Sequence, residues 1–230
     1  MRKILTILCC TFILFTQSKA QSDTISGDYI VLYSGKIIQS DVVTYKNSYF
    51  HAGDKKYNED DVSLYRNAEG SFANAKHFKK RGATYFLKAS KTGPVNIYSL
   101  EITASKNGSW SNGSYKPAYT ETTEYVFYNK GMERLKKAKY KNLKRDLGDN
   151  VNCNKVLKKY RNIRTARIIL YPVSAIVFAF GIKTAVKETY DNPVLNYVAA
   201  PLGIILFFVA QAGRDASINK AKKAIEIYNQ

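Results

Sequence analysis

The sequence has few of the residues on which most metal and nucleophilic sites depend. Its 230 residues include only three cysteines and two histidines. Three cysteines are too few for a four-thiolate zinc site or for a scaffold held together by several disulfides. The two histidines, His51 and His77, lie outside any metal-binding or catalytic motif, so we expect both at the surface. The composition therefore predicts no metal and no cofactor.

Short motifs for nucleotide, phosphate or hydrolytic chemistry are also missing from the sequence. It contains no Walker loop, no Gly-x-Gly-x-x-Gly, no Gly-x-Ser-x-Gly and no His-Glu-x-x-His. The acidic triplet at 59–61 lacks the alternating oxygen ligands of a calcium loop. No catalytic residue is predicted, although the scattered carboxylates leave open a hydrolase whose two acids meet only in the fold.

Acidic residues are half as numerous as basic ones. The chain carries 36 Lys and Arg against 18 Asp and Glu, a formal net charge of +18. Residues 131–168 hold 13 of the bases and only three of the acids. A basic stripe of this kind binds nucleic-acid phosphates or anionic lipid head groups, and a solvated helical face is the alternative. Its position directly before an apolar run favours lipid, so no nucleic-acid partner is expected.

The first twenty residues have the pattern of a secretory signal peptide. A short positive segment at 1–3 precedes an almost continuous apolar run at 4–16, and residues 18–20 fit a small-x-small cleavage site. The apolar run is shorter than the roughly 20 residues that a membrane span requires. We therefore expect cleavage after Ala20 and export of the rest of the chain. Only Cys153 then remains, as an accessible spectator or as a partner in an intermolecular disulfide.

Residues 21–130 are predicted to form an antiparallel β-rich domain. Segments rich in β-branched and aromatic residues alternate with turn residues about every 8–12 positions. Short strands with tight turns favour a meander, a small barrel or a sandwich. The predicted strands are 28–33, 36–45, 48–52, 62–66, 84–88, 95–102 and 121–128.

A polar, glycine-rich stretch at residues 107–114 interrupts this β-rich segment and holds the only tryptophan, Trp110. Its composition predicts a loop between two strands. An exposed tryptophan on a loop is a frequent anchor for a binding partner, so Trp110 is a candidate partner contact. Packing of its ring back onto the sheet is the alternative.

From residue 131 the apolar residues recur with the period of a helix. Residues 131–167 are predicted to be a basic helical segment, and Asn150 or Asn152 is suited to cap a helix that begins there. Nine bases that flank the following apolar runs are candidates for contact with the membrane surface. They are Lys155, Lys158, Lys159, Arg161, Arg164, Arg167, Lys220, Lys222 and Lys223.

Two apolar runs follow, at 168–182 and 193–213, and the second is long enough to cross a bilayer without a charge. Residues 168–213 are therefore predicted to form a two-helix transmembrane hairpin, and residues 214–230 a basic amphipathic helix. The apolar faces of the flanking helices predict a contact outside the membrane, with Val156, Tyr160 and Ile163 against Ile218, Ala221 and Ile225.

The predicted export conflicts with the distribution of charge around the hairpin. A cleaved signal peptide places ten flanking bases outside the cytoplasm and only Lys183 and Lys187 inside, the reverse of the positive-inside tendency. Long domains cross the membrane largely regardless of their charge, so export remains our prediction. The alternatives are that the hairpin does not span the membrane or that residues 1–20 are not a signal.

Three short segments resemble exported, membrane-anchored proteins of the Bacteroidota type, which join a signal peptide, a small β-rich domain and a C-terminal hydrophobic hairpin. They are Ser-Lys-Ala-Gln at 18–21, residues 142–147 and residues 221–229. The resemblance implies a layout, but no activity, cofactor or functional residue.

The sequence thus predicts an α+β protein that is exported, anchored in the membrane and extracytoplasmic in its main domain, which is the periplasmic side if the envelope is Gram-negative. We expect a binding or structural module whose partners are membrane lipid and an envelope protein or glycan. The alternative is a hydrolase of envelope polymers.

Overall fold

The computed structural model describes residues 27–78, 85–111, 114–187 and 193–230. The predicted signal peptide, residues 1–20, lies outside the described residues, as do residues 188–192 within the predicted transmembrane hairpin. The α+β prediction is confirmed, because an antiparallel half-barrel sheet precedes two long apolar helices.

Thirteen strands occur in the part of the chain that the structure describes. They are β1 (Asp28–Leu32), β2 (Ile37–Ser40), β3 (Val43–Lys46), β4 (Tyr49–Ala52), β5 (Lys55–Asn58), β6 (Val62–Asn67), β7 (Gly70–Asn74), β8 (Phe86–Lys91), β9 (Val95–Lys106), β10 (Ser109–Ser111), β11 (Ser114–Lys116), β12 (Tyr119–Lys130) and β13 (Lys136–Lys137). Eight of them form one sheet in the order β13-β12-β9-β8-β7-β6-β1-β2. Most strands that follow one another along the chain are neighbours, so a meander describes this sheet best.

The predicted strand at 36–45 divides into β2 and β3, because the chain leaves the main sheet between them. The Ser40 hydroxyl donates to the carbonyl oxygen of Val42 at 3.0 Å, and the backbone N–H of Val43 donates to the Asp28 carboxylate at 2.9 Å. Strands β3, β4 and β5 then form a separate sheet. This small sheet packs on the main one through Phe50, which is fully buried and lies 4.7 Å from the Tyr65 ring.

Three α-helices follow the sheet: α1 (Tyr140–Leu147), α2 (Val151–Lys187) and α3 (Pro193–Tyr228). Helix α2 begins where the sequence predicts, because Asn150 Oδ1 accepts hydrogen bonds from the backbone N–H groups of Asn152 (2.9 Å) and Cys153 (3.1 Å). Residues 131–139 differ from the predicted helix, since they contain β13, which pairs with β12.

Helices α2 and α3 form the predicted hairpin and approach each other closely at two glycines. A Cβ atom at Gly203 would lie only 2.6 Å from the backbone nitrogen of Phe178, and one at Gly181 would meet the backbone of Ala200. Small residues at such crossings let two membrane helices pack backbone to backbone.

Replacing Gly203 with leucine should force the two helices apart. Overpacking of this kind typically costs about 1–3 kcal/mol, and here the obstacle is backbone rather than a movable side chain. Thermal unfolding of the protein in detergent measures the effect. Ala212→Leu is the control, because it places the same side chain at an exposed position of α3. Equal melting temperatures for the two variants would contradict the close crossing.

The ends of the hairpin nearest the sheet, residues 151–167 and 214–228, are here called the stem. The stem shares one buried cluster, the stem core, with α1 and the sheet. Its members are Val95, Ile97, Val126, Tyr128, Leu143, Leu147, Cys153, Leu157, Tyr160, Ala221, Ala224 and Ile225. The predicted stem contact is present, with Val156 and Ile218 packed against this core. Leu157 is fully buried whereas Ile163 is only half-buried, since the sheet covers one side of the predicted apolar face.

The chain just beyond α3 is also fastened to the sheet. Asn229 Oδ1 accepts from the backbone N–H of Val95 at 3.0 Å, and Asn229 Nδ2 donates to the carbonyl oxygen of the same residue at 2.8 Å. The side-chain amide thus makes both hydrogen bonds that a neighbouring strand would make at this position.

Candidate membrane and partner interfaces

Away from the stem, α2 and α3 expose apolar side chains on all sides. The large exposed ones are Ile168, Ile169, Val173, Ile176, Phe178, Phe180, Ile182, Val198, Leu202, Ile204, Ile205, Phe207, Phe208 and Val209. The apolar windows of the two helices have mean hydropathies of 1.8 and 1.3, and only 11% and 17% of their residues are buried. A core helix of a soluble domain would bury such side chains against protein. The protein is therefore associated with a membrane through this surface, the apolar belt.

The nine predicted membrane-surface bases lie at two distances from the apolar belt. At 1.5 Å per residue, Arg161, Arg164, Arg167 and Lys220 are within about 11 Å of the nearer end of an apolar run, Ile168 or Gly213, along the helix axis. The other five, Lys155, Lys158, Lys159, Lys222 and Lys223, are about 13–20 Å away. Since the Debye length is about 8 Å at physiological ionic strength, a more distant charge is largely screened, and the nearer four are the stronger candidates for contact with the membrane surface.

Some of these bases, among them Arg167 and Lys222, also hold the protein's own elements together. Arg167 Nε donates to the carbonyl oxygen of Ala210 at 3.2 Å and so ties α2 to α3 at the edge of the belt. Lys222 Nζ lies 2.6 Å from the Glu124 carboxylate on β12. Burial alone would raise the pKa of Glu124, but hydrogen bonds from Lys222 and Ser99 hold it below its usual value. Lys222 thus has a partner on the sheet.

The longest strands, β9 and β12, extend well past their neighbours. They pair with each other over twelve residues, but β8 reaches only Ile97 and Tyr98, and β13 only Phe127 and Tyr128. In the described segments beyond these contacts, 100–106 pairs with 119–125 alone. These seven residue pairs, here called the arm, form a two-stranded ribbon about 24 Å long.

The arm carries a polar ladder and exposed apolar side chains. The hydroxyl groups of Thr103 and Thr122 lie 3.1 Å apart across the ribbon. Ile102 and Tyr119 are 42% and 51% exposed. At the tip, β10 pairs with β11 and places Trp110 opposite Tyr115, so the predicted loop is a short β-hairpin. The candidate partner contact Trp110 therefore belongs to the tip of the arm.

The base of the arm lies beside α3. There, Lys130 Nζ donates to the Tyr228 hydroxyl at 2.6 Å. Further along β12, Glu124 meets Lys222, and Tyr125 lines the same cavity as Ile218. From Lys130 to Glu124, β12 therefore lies beside α3 between Tyr228 and Lys222, and in this part it extends in the direction of the apolar belt.

A polar network closes α1 onto the base of the arm. The Tyr128 hydroxyl donates to the Asp146 carboxylate at 2.8 Å, which also accepts from Lys136 Nζ and Arg145 Nε, both at 2.7 Å. Burial by itself would raise the pKa of Asp146, but these three donors hold it well below its usual value. The network anchors the fold at a point where α1, β12 and β13 meet.

Cys153 is a buried member of the stem core. Its thiol donates to the carbonyl oxygen of Ala224 at 3.2 Å, and burial raises its pKa. The expected accessible thiol is therefore wrong for the folded protein, because no part of Cys153 reaches solvent. Its burial favours the spectator role over an intermolecular disulfide.

Two of the cavities among the described residues bear on function. One of about 110 Å³ is lined by Tyr33, Ser63, Asn74, His77, Phe78, Arg134 and Leu135. The other, of about 230 Å³, is lined by Glu124, Tyr125, Val126, Lys137, Ala138, Lys139, Tyr160, Ile218 and Ala221. Neither of these linings contains the two carboxylates that a glycoside hydrolase requires. The first places His77 edge-on to Tyr33 at 5.5 Å, which is a packing contact.

Within the described ranges, no three His, Cys, Asp or Glu side chains come together as metal ligands would. The arrangement that stands out is a hairpin with an exposed apolar surface, fixed to a sheet that carries a two-stranded arm. Family models, curated proteins and solved structures gave no match to this chain.

Proposed function

We propose that this protein is an exported, membrane-anchored binding module that holds a β-arm next to the bilayer for an envelope protein to bind. The observation that carries the proposal is the arm, since 100–106 and 119–125 pair with each other alone in the described structure. Each strand therefore has an edge that a strand of another protein can join by main-chain hydrogen bonds.

The energetics of a two-stranded ribbon also favour a partner. An isolated hairpin is only marginally stable in water, and proteins usually protect free strand edges. The arm instead presents both edges over about 24 Å and carries exposed Ile102 and Tyr119. A bound strand would satisfy the edges and cover this apolar surface.

The stem core gives the module its rigidity. Residues from β9, β12, α1, α2 and α3 share this one cluster, so the sheet cannot turn freely on the membrane helices. A flexible linker would let the domain explore a wide volume. Here the arm keeps one position relative to the bilayer, which suits recognition of a partner in or on the same membrane.

The arm can be tested directly in intact cells. A photo-crosslinking amino acid at Ile102 or Thr122, on opposite faces of the arm, should give the same discrete protein adduct. The same amino acid at Lys46, an exposed strand position on the small sheet, should not give it. Adducts of equal pattern at all three positions, or none at the arm, would refute the proposal. A carbohydrate adduct would make the partner a glycan instead.

The proposed export has its own test, which must replace the buried native thiol. In a Cys153→Ala background, cysteine at exposed Asn162 of the stem should react with a membrane-impermeant maleimide in cells stripped of any outer barrier. The unmodified chain should stay unlabelled until it is denatured, because Cys153 is buried. Labelling of the Asn162→Cys protein only after lysis would place the sheet and arm in the cytoplasm.

A further inference from the structure

The larger cavity, here called the stem groove, lies where the stem meets the edge of the sheet. Helix α2 contributes Tyr160 to it, and α3 contributes Ile218 and Ala221. Ile218 is five residues past Gly213, so it lies about 7 Å from the end of the second apolar run. The head-group layer of a bilayer is about 5–8 Å thick on each side. The end of the groove nearest the belt is thus at the depth of the lipid head groups.

The floor of the stem groove is apolar and its only acid is already paired. Val126, Ala138, Ile218 and Ala221 contribute aliphatic surface. The carboxylate of Glu124 is bound to Lys222 at 2.6 Å. An anionic ligand would therefore meet no uncompensated negative charge among the lining residues.

Positive charge stands at the rim of the groove. Lys139 lines one wall and is exposed. Arg164 lies one helical turn from Tyr160, on the side nearer the membrane. Burial raises the pKa of the Tyr160 hydroxyl, and the positive charge of Arg164 offsets part of this rise. That hydroxyl also donates to the carbonyl oxygen of Ala138 at 3.3 Å, which fixes it in the wall.

We propose that the stem groove binds the head group of one anionic phospholipid from the adjacent leaflet. Its phosphate would lie between Lys139 and Arg164, with the glycerol and first methylene groups on the apolar floor. The volume of about 230 Å³ equals about eight water volumes, so the acyl chains remain in the bilayer.

The positive charge of the stem favours binding of an anionic lipid over a zwitterionic one. Its two segments, 151–167 and 214–228, contain ten bases and only two acids, Asp215 and Glu226. Glu226 is itself paired with Lys91 on β8. This inference rests on the membrane position of the hairpin in the proposed function, but not on any partner of the arm.

The test uses the full-length protein in nanodiscs of phosphatidylcholine with a minor fraction of phosphatidylglycerol. Native mass spectrometry should find one phosphatidylglycerol retained per protein. Ala138→Phe, which fills the groove without changing charge, and Arg164→Gln should each lower retention by about fivefold or more. Lys158→Gln is the control, because it removes the same charge from an exposed site of α2 that lies farther from the membrane. Its lipid retention should stay within about twofold of that of the parent chain.

Three outcomes would overturn the site: retention of phosphatidylcholine equal to that of phosphatidylglycerol, equal losses in Arg164→Gln and Lys158→Gln, or full retention by a folded Ala138→Phe. If Ala138→Phe lowers the melting temperature, Lys139→Gln takes its place as the second groove variant. Crosslinking from the arm in the same variants separates the two proposals, because loss of the lipid should leave the arm adduct in place.

Discussion

Replacing Ile225 with aspartate should detach the stem from the sheet and lower the free energy of unfolding by about 4 kcal/mol or more. Ile225 has no exposed surface and lies in the stem core with Val95 and Ile97 of β9. Loss of a buried isoleucine alone costs about 2–5 kcal/mol. The new carboxylate would in addition be buried without a cation, which makes this the most damaging single change that we expect.

Limited proteolysis of the detergent-solubilised protein measures this effect. The Ile225→Asp variant should be cut within the stem under conditions that leave the parent chain intact. Asn219→Asp is the matched control, because it adds the same negative charge to an exposed position of α3. Equal protease resistance of Ile225→Asp and the parent chain would contradict the shared core.

Replacing Asp146 with alanine should lower the free energy of unfolding by about 3 kcal/mol. The side chain of Asp146 is 9% exposed and binds Tyr128, Lys136 and Arg145. Without it, the buried Tyr128 hydroxyl loses its acceptor and Lys136 keeps only its contact with Glu133. Thermal unfolding gives the difference, with Asp54→Ala on an exposed turn as the control. Equal effects of the two substitutions would rule out a structural role for the network.

The same network makes the free energy of unfolding depend on pH. The pKa of Asp146 is lower in the folded protein than in the unfolded chain, where it is about 3.9. Its contribution is therefore fully present above about pH 4 and is lost as the pH falls below that value. The melting temperature of the parent chain should fall more steeply than that of Asp146→Asn below about pH 4. Parallel curves for the two proteins would contradict the lowered pKa.

The membrane hairpin could be predicted from sequence because a helix that spans a bilayer needs only sufficient length and almost no charged residues. The uncharged run at 193–213 meets them without further information. Both helices also continue into the stem, to Val151 and Tyr228, since the flanking sequences keep a helical period. The Asn150 cap is likewise a local signal that depends on a few neighbouring residues.

The partners of these elements could not be predicted, because they depend on contacts between distant segments. Residues 131–139 are rich in lysine and suggested a helix, yet the backbone N–H of Ala138 bonds to Val126 on β12 at 2.9 Å. The composition around Trp110 suggested a loop, whereas pairing across the turn makes it a strand. Helical periodicity likewise predicts an apolar face, but only the position of the sheet decides that Leu157 is more deeply buried than Ile163.

The arm was missed for a related reason. Its strands were predicted as 95–102 and 121–128, which leaves residues 103–106 and 119–120 outside the predicted strands. The hydroxyl-rich continuation at 103–106 has little apolar surface and gives no clear alternation. Direct cross-strand contacts such as Thr103 with Thr122 extend the ribbon there, and such pairs have no signature in a single strand.

The two hydrogen bonds between Asn229 and Val95 bear on the order in which the parts of the protein fold. Residues 221–229 leave the ribosome after both apolar helices, yet they fill the core under β9 and β12. Part of the hydrophobic interior of the sheet therefore stays uncovered until the C-terminal end of α3 has been synthesised and has packed against it.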